Sequence, residues 1–309
     1  MFDHYSVMLK ESIELLAIKP NGVYLDMTLG GSGHSLEIAK QLNKDGKLIC
    51  FDQDETAIEN AKNVFLDFSN VHIIKANFND FERYLDEMNI DKIDGVIFDL
   101  GVSSVQFDSK ERGFSYRFDS KLDMRMDQDK EKSAYDIVND YSFSDLQYIL
   151  KKYGEEKYAK QIARKIEAYR ADKKIETTFE LVEIIKSSLP QAYLKKKGHP
   201  AKKIFQALRI EVNDELNVFE KTLDKVINRL NLNGRVVVIT FHSLEDKICK
   251  RIFKEYTTSK IPKEIPILDG MNDVYYRLIN SKVVIPSDDE LSENRRSKSS
   301  KLRAIEKIR

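Results

Sequence analysis

A run of small residues, Gly30-Gly31-Ser32-Gly33-His34, follows an apolar stretch, and an aspartate, Asp52, ends the next one. Glycine lets a backbone approach a ligand closely, and a helix starting there offers N–H groups that have no partner within the first turn. A carboxylate about 20 residues beyond such a turn can accept hydrogen bonds from both hydroxyls of a ribose. Phe78 follows the third apolar stretch, where an aromatic ring can lie against adenine, and Asp99 ends the fourth. Together these residues suit an adenosine-bearing ligand held in one crevice. A dinucleotide fingerprint requires Gly-x-Gly-x-x-Gly, whereas the sixth position counted from Gly31 is Leu36. That spacing disfavours a nicotinamide dinucleotide, and with it an oxidoreductase.

The elements that must hold these residues are strands alternating with helices. Short β-rich runs at 23–27, 47–52, 71–76 and 95–100 are separated by stretches with helical spacing at 35–42, 56–65 and 78–87. Repeated βα units of this kind build a parallel sheet. The run Gly95-Val96-Ile97-Phe98-Asp99-Leu100 is apolar on both of its faces, as a sheet covered by helices on each side requires. After Gly101 the rhythm stops. Helical periodicity at 135–153, 155–170 and 177–188 indicates a helical insertion. The βα pattern resumes with a long helix over 204–230, a strand over 235–241 and a helix over 243–256. Strand-like runs at 274–285 and 301–308 complete the chain as a hairpin-like pair closed by a mobile loop. The expected organisation is a discontinuous α/β domain, 1–109 and 204–309, interrupted by a helical domain over 110–203.

Composition narrows the class. The 309 residues include 51 Lys and Arg against 51 Asp and Glu, so bulk charge does not announce a strongly basic nucleic-acid binder. Any polyanion must be met by local patches. No apolar run approaches the roughly 18 residues of a membrane span, and the N-terminus lacks the order of a secretory signal. A soluble cytoplasmic protein is expected. Cys50 and Cys249 alone form neither a disulfide framework nor a zinc signature, and no metal site is expected.

Longer motifs carry more. The segments Asp99-Leu100-Gly101-Val102-Ser103-Ser104-Val105-Gln106, Arg112-Gly113-Phe114-Ser115 and Leu122-Asp123-Met124-Arg125-Met126-Asp127 occur in order with Tyr153-Gly154-Glu155-Glu156 and His199-Pro200-Ala201. They are followed by Phe205-Gln206-Ala207-Leu208-Arg209-Ile210 and Phe241-His242-Ser243-Leu244-Glu245-Asp246. This succession resembles the bacterial RsmH (MraW) family, from His4 to the terminal Ser299-Ser300-Lys301-Leu302-Arg303. The resemblance implies a Rossmann-like class I methyltransferase. It would use S-adenosylmethionine to methylate N4 of a cytidine in the decoding region (P site) of 16S rRNA in the small ribosomal subunit. It further implies that the cofactor is held by positions matching Gly31, Ser32, Gly33, His34, Asp52, Phe78, Asp99 and Gln106. Two departures stand out. Ser32 replaces a frequent glycine, and Val105 replaces a frequent proline, which leaves the loop before Gln106 less rigid.

The implied reaction is an in-line displacement in which positioning matters most. Asp99 or Ser103 is the candidate acceptor for the reacting amino group, the alternative being that Asp99 only contacts the cofactor. His242 could act as a base. The preferred reading makes 241–246 a strand-to-helix junction with Ser243 as N-cap and Asp246 in the third helical position. For RNA, the basic residues Arg112, Arg117, Lys196, Lys202, Lys203, Arg295 and Arg296 are candidates to neutralise phosphates. Phe114, Tyr116 and Phe118 interleave with Arg112 and Arg117 as if to stack on an unpaired base. The helical insertion is the natural substrate reader. A scaffold protein on a vestigial fold is the rival outside enzymes, and self-association, a homodimer included, is left open.

Overall fold

The computed structural model describes residues 6–103, 106, 107, 109–261 and 273–309. They divide into two compact units, Met1–Gly101 with Leu216–Arg309 and Val102–Glu215. The divisions thus fall at 101/102 and 215/216 instead of 109/110 and 203/204. Gly101 leaves the first unit with φ +104, a left-handed conformation that side chains with a Cβ rarely adopt. On the return, Asp214 takes φ 53. It breaks the single helix expected over 204–230 into Lys202–Asn213 and Glu215–Asn228.

The first unit is built on a seven-stranded sheet. In chain order its strands are β1 (Val23–Asp26), β2 (Lys47–Asp52), β3 (Val71–Lys75), β4 (Ile93–Asp99), β5 (Leu230–Thr240), β6 (Tyr276–Leu278) and β7 (Lys301–Lys307). Their spatial order is β3-β2-β1-β4-β5-β7-β6. β1 to β5 run parallel, while β7 lies antiparallel to both β5 and β6. The alternation within β4 shows why these strands are apolar throughout. Val96 and Phe98 pack with Phe81, Phe219, Leu223 and Ile252 on one face. Ile97 packs with Leu16, Ile38 and Ile58 on the other. Each face is therefore closed by helices, as a parallel sheet demands.

Those helices are α1 (Leu9–Leu16), α2 (Gly33–Gln41) and α3 (Glu55–Val64) on the Ile97 side. α4 (Phe81–Glu87), the Glu215–Asn228 helix and the Ser243–Thr257 helix cover the Val96 side. The terminal strand pair forms as expected, but its connection is not a plain loop. It holds a helix over Asp288–Glu293 and a 3-10 turn over Arg295–Ser299. Pro262 and Pro266 lie outside the described residues. Among the described residues no helix is long and apolar enough to cross a membrane.

The second unit is helical. Ala134–Asp140, Phe143–Lys152, Ala159–Asp172, Thr178–Ser188, Gln191–Leu194 and Lys202–Asn213 enclose a core that includes Leu146, Ile162, Leu181 and Leu208. The stretch read as one helix over 135–153 is two, divided at Tyr141-Ser142. Ser142 N-caps the second by accepting from the Asp145 backbone N–H.

Candidate functional site

In a doubly wound sheet, ligands bind outside the carboxyl ends of the strands where the strand order reverses, here between β1 and β4. Three aspartates end the strands around that point: Asp26 on β1, Asp52 on β2 and Asp99 on β4. The turn from Gly30 to Gly33 lies among them. Its Gly30 N–H donates to Asp52 Oδ2 at 2.9 Å, and Asp52 Oδ1 accepts from the Asp54 N–H at 2.9 Å. Asp99 is tied to the same turn, because its backbone N–H donates to Thr28 Oγ1 at 2.6 Å. Gly33, Asp52 and Asp99 therefore belong to one crevice and are not scattered over separate surfaces.

Asp26 is the residue that sequence reasoning overlooked. It is 2% exposed, accepts the Thr28 N–H at 2.9 Å and accepts the Ser35 hydroxyl at 2.6 Å, so it pins both sides of the turn. Its position as the last residue of the first strand was the available signal. Burial pushes the Asp26 and Asp52 carboxyls up to about 6 despite these hydrogen bonds. Asp99 is raised well above the ordinary carboxylate range, first by burial and then by repulsion from Asp26, Glu245 and Glu290. This concentration of acid suits a ligand that carries positive charge.

Two details of the turn depart from simple expectation. Ser32 survives where glycine is frequent, but it sits at φ 69 with a buried hydroxyl that has no partner among the described residues. Gly33 is small for a reason within the chain itself. A Cβ there would meet Ser6 Oγ at 1.8 Å, so the N-terminal segment passes directly over the start of α2. His34 joins this contact, with Nε2 3.1 Å from the Val7 carbonyl oxygen and Nδ1 3.6 Å from Asp99 Oδ2.

Phe78 stands just beyond β3, half-buried, with its ring edge-on to Phe98 at 5.7 Å. Ser103 and Gln106 belong to the second unit. There the Ser103 N–H donates to Gln106 Oε1 at 3.1 Å and the Gln106 N–H donates to Ser103 Oγ at 3.2 Å. Ser104 and Val105 lie outside the described residues.

The junction after β5 differs from expectation. His242, not Ser243, is the N-cap, and Glu245 occupies the reciprocal position. Glu245 Oε2 accepts from the Phe241 and His242 N–H groups at 2.7 and 3.1 Å. Asp246 instead binds Lys301 and Arg303, each at 2.8 Å, and these hold its carboxyl below its usual range against the effect of burial.

The RNA candidates divide sharply. Arg112 donates to the carbonyls of Arg125 at 2.8 Å and Met126 at 3.2 Å, so its guanidinium closes a loop of the second unit. Phe114 is buried in the core, and Tyr116 is stacked on His199 at 4.2 Å and set edge-on to Phe205. The row of stacking residues expected there is thus largely internal. Arg117 and Lys196 are exposed. Exposed too are Lys202 and Lys203, the latter donating to the Glu155 carbonyl at 2.8 Å. Arg296 is exposed on the first unit, and the Arg295 side chain is outside the described set.

The donors and acceptors of the crevice fit an adenosyl cofactor. Asp99 Oδ1 is buried without a hydrogen-bond partner among the described residues, which marks it as an acceptor awaiting a donor. Asp52 offers a carboxylate beside the glycine turn, and α2 begins there with no side-chain cap on its first N–H groups.

Comparison with known proteins agrees along the chain. The profile of the MraW methylase family matches residues 1–308. A relative from Streptococcus mutans, the "Ribosomal RNA small subunit methyltransferase H", is 53% identical over 311 residues, covering 100% of this chain and 98% of the relative. The protein of that name from Oceanobacillus iheyensis is 51% identical over 310 residues, covering 100% of this chain and 95% of the relative. With its strand-end crevice and a match that leaves out only the last residue, the chain belongs to the MraW methylase family of S-adenosylmethionine-dependent methyltransferases.

Proposed function

We propose that this protein methylates the exocyclic N4 of a cytidine in the decoding region of 16S rRNA in the small ribosomal subunit. The observation that carries the reading is the convergence of the glycine turn, Asp52 and the unpartnered Asp99 Oδ1 at one strand-order reversal. The names of the relatives, which specify small-subunit ribosomal RNA, support the substrate.

Bound S-adenosylmethionine supplies a methyl group already activated on a sulfonium, so the protein's task is alignment. Asp52 is assigned to the ribose hydroxyls, with the turn from Gly31 to His34 alongside and Phe78 near the adenine. Gln106 is assigned to the cofactor as well. Asp99 is assigned to the amine. Cytosine N4 is a weak nucleophile because its lone pair is delocalised into the ring. An acceptor on its N–H draws that pair back toward nitrogen, and Asp99 Oδ1 is such an acceptor. Charge attraction between Asp99 and a sulfonium would favour binding over turnover, since positive charge at sulfur declines as the methyl leaves. Its catalytic value must therefore lie in holding the amine. Ser103 is the second candidate, although its Oγ already accepts the Gln106 N–H.

The second unit is assigned to substrate recognition, with Arg117, Lys196, Lys202 and Lys203 as exposed cations for phosphates and Arg296 as a further contact from the first unit. The test is transfer of labelled methyl to small subunits from a strain lacking this gene, followed by nucleoside analysis. Label in N4-methylcytidine is expected, and label on protein or on another nucleoside refutes the reading. Turnover and cofactor affinity measured separately in Asp99→Ala and Ser103→Ala separate the roles. A loss confined to affinity removes that residue from the catalytic assignment.

A further inference from the structure

Glu290 lies on the short helix Asp288–Glu293, where the order Ser287-Asp288-Asp289-Glu290 has the form of a capping box. Half of the box forms, since Ser287 Oγ accepts the Glu290 N–H at 3.2 Å. The other half does not. The Glu290 carboxylate, 6% exposed, turns away from its own helix and accepts the Met8 backbone N–H at 2.9 Å. Met8 is fully buried and left-handed, with φ 51, a conformation disfavoured for a residue with a side chain. Ser300 Oγ contacts its sulfur at 3.5 Å. Glu290 and Ser300 thus hold Met8 and its peptide link to Val7 in place.

The held segment reaches the site through histidine. A carbonyl oxygen can only accept, so the 3.1 Å contact with Val7 places a hydrogen on His34 Nε2. Nδ1 then faces Asp99 Oδ2 at 3.6 Å, with the two side chains 6% and 18% exposed. At that separation the pair is an electrostatic contact, too long for a hydrogen bond, and it is attractive when the imidazole carries a second proton or the carboxyl is protonated. Oδ2 thus faces the imidazole, whereas Oδ1 meets no hydrogen-bond partner among the described residues.

We propose that His34 and Glu290 are positioning residues for Asp99. The imidazole, its tautomer fixed by Val7, holds Oδ2 and presents Oδ1 to the substrate amine, while Glu290 holds the Val7–Met8 backbone that fixes the imidazole. The proposal rests on the assignment of Asp99 to the amine.

Nitrogen-15 spectra of the imidazoles in ligand-free protein test it without catalysis, the His34 signals being identified by their loss in His34→Gln. A hydrogen on Nε2 is expected. A His34 tautomer protonated only on Nδ1 overturns the proposal. Glu290→Ala is expected to mix the His34 tautomers and to lower kcat at least tenfold, with S-adenosylhomocysteine still bound at one per chain and little change in KM. Glu290→Gln keeps an acceptor for the Met8 N–H and is expected to restore both. Equal damage in the two variants, or an unchanged spectrum and kcat in Glu290→Ala, refutes it. Should Glu290→Ala fail to fold, the wild-type tautomer and the Glu290→Gln variant still decide. If only the role of Asp99 is wrong, the tautomer result stands while Asp99→Ala retains turnover.

Discussion

Cofactor affinity should depend on pH through Asp52, and the size of the effect follows from the site. In the ligand-free protein burial pushes this carboxyl up to about 6. Accepting two ribose hydroxyls requires its ionised form, so binding lowers the pKa and releases a proton. The sign is fixed by that difference: affinity is full above about 6 and is lost as pH falls through it. The apparent dissociation constant is nearly unchanged at pH 7.5 and grows about tenfold by pH 5, a loss of about 1 kcal/mol. Asp99, also raised, titrates in the same direction. Calorimetric titration with S-adenosylhomocysteine from pH 7.5 to 5 measures the slope, and buffers of different ionisation enthalpy count the protons. Asp52→Asn should bind on the order of tenfold to a hundredfold more weakly at pH 7.5, having lost one charge-assisted bond of about 1.5–3 kcal/mol. Its pH dependence should be flatter. Constant wild-type affinity over this range, or an unchanged slope in the variant, would show that Asp52 does not meet the ribose.

Four further outcomes follow from the geometry. Ser32→Gly should stabilise the protein by about 0.5–1 kcal/mol, because relief of the left-handed serine, about 1–2 kcal/mol, exceeds the added chain entropy of glycine; urea denaturation measures it. The Asp26 carboxyl, 2% exposed and pushed up to about 6, stabilises the fold below its unfolded value of 3.8 and loses that contribution as pH rises through 6, about 3 kcal/mol in all. The stability of wild type relative to Asp26→Asn should accordingly improve between pH 7.5 and 4.5 in denaturant titrations, and a constant gap would contradict the burial argument. Arg112→Ala should lower stability by about 1–3 kcal/mol through orphaned carbonyls. Lys202→Ala with Lys203→Ala should instead weaken RNA binding and reduce its salt slope by about 0.7–0.9 per lost phosphate contact, and an unchanged slope would remove both from the interface.

Features encoded by neighbouring residues were readable from the chain. The apolar run through Phe98 announced a strand covered on both faces, and Asp52 announced the end of another because its spacing from the glycine turn is set by one βα unit. What stayed hidden depends on residues far apart. Arg112 and Phe114 have the types of an RNA-binding surface, yet one closes a loop and the other fills a core, and only tertiary packing makes that choice. Gly33 announced closeness to something without saying that Ser6 is part of it. Residue type favours Ser243 as the cap, since serine is the commoner one, whereas the pairing that makes His242 the cap is with Glu245. Asp214 broke a helix that periodicity alone would continue, since that pattern does not register one left-handed residue.

The bond from Met8 to Glu290 spans 282 positions of sequence. At synthesis rates of about 5–20 residues per second, roughly a quarter of a minute to a minute separates the emergence of the two partners. The glycine turn and the three strand-end acids are made early in that interval, but the clasp over them waits for Glu290. A growing chain is therefore held short of a finished active centre until Glu290 has been made.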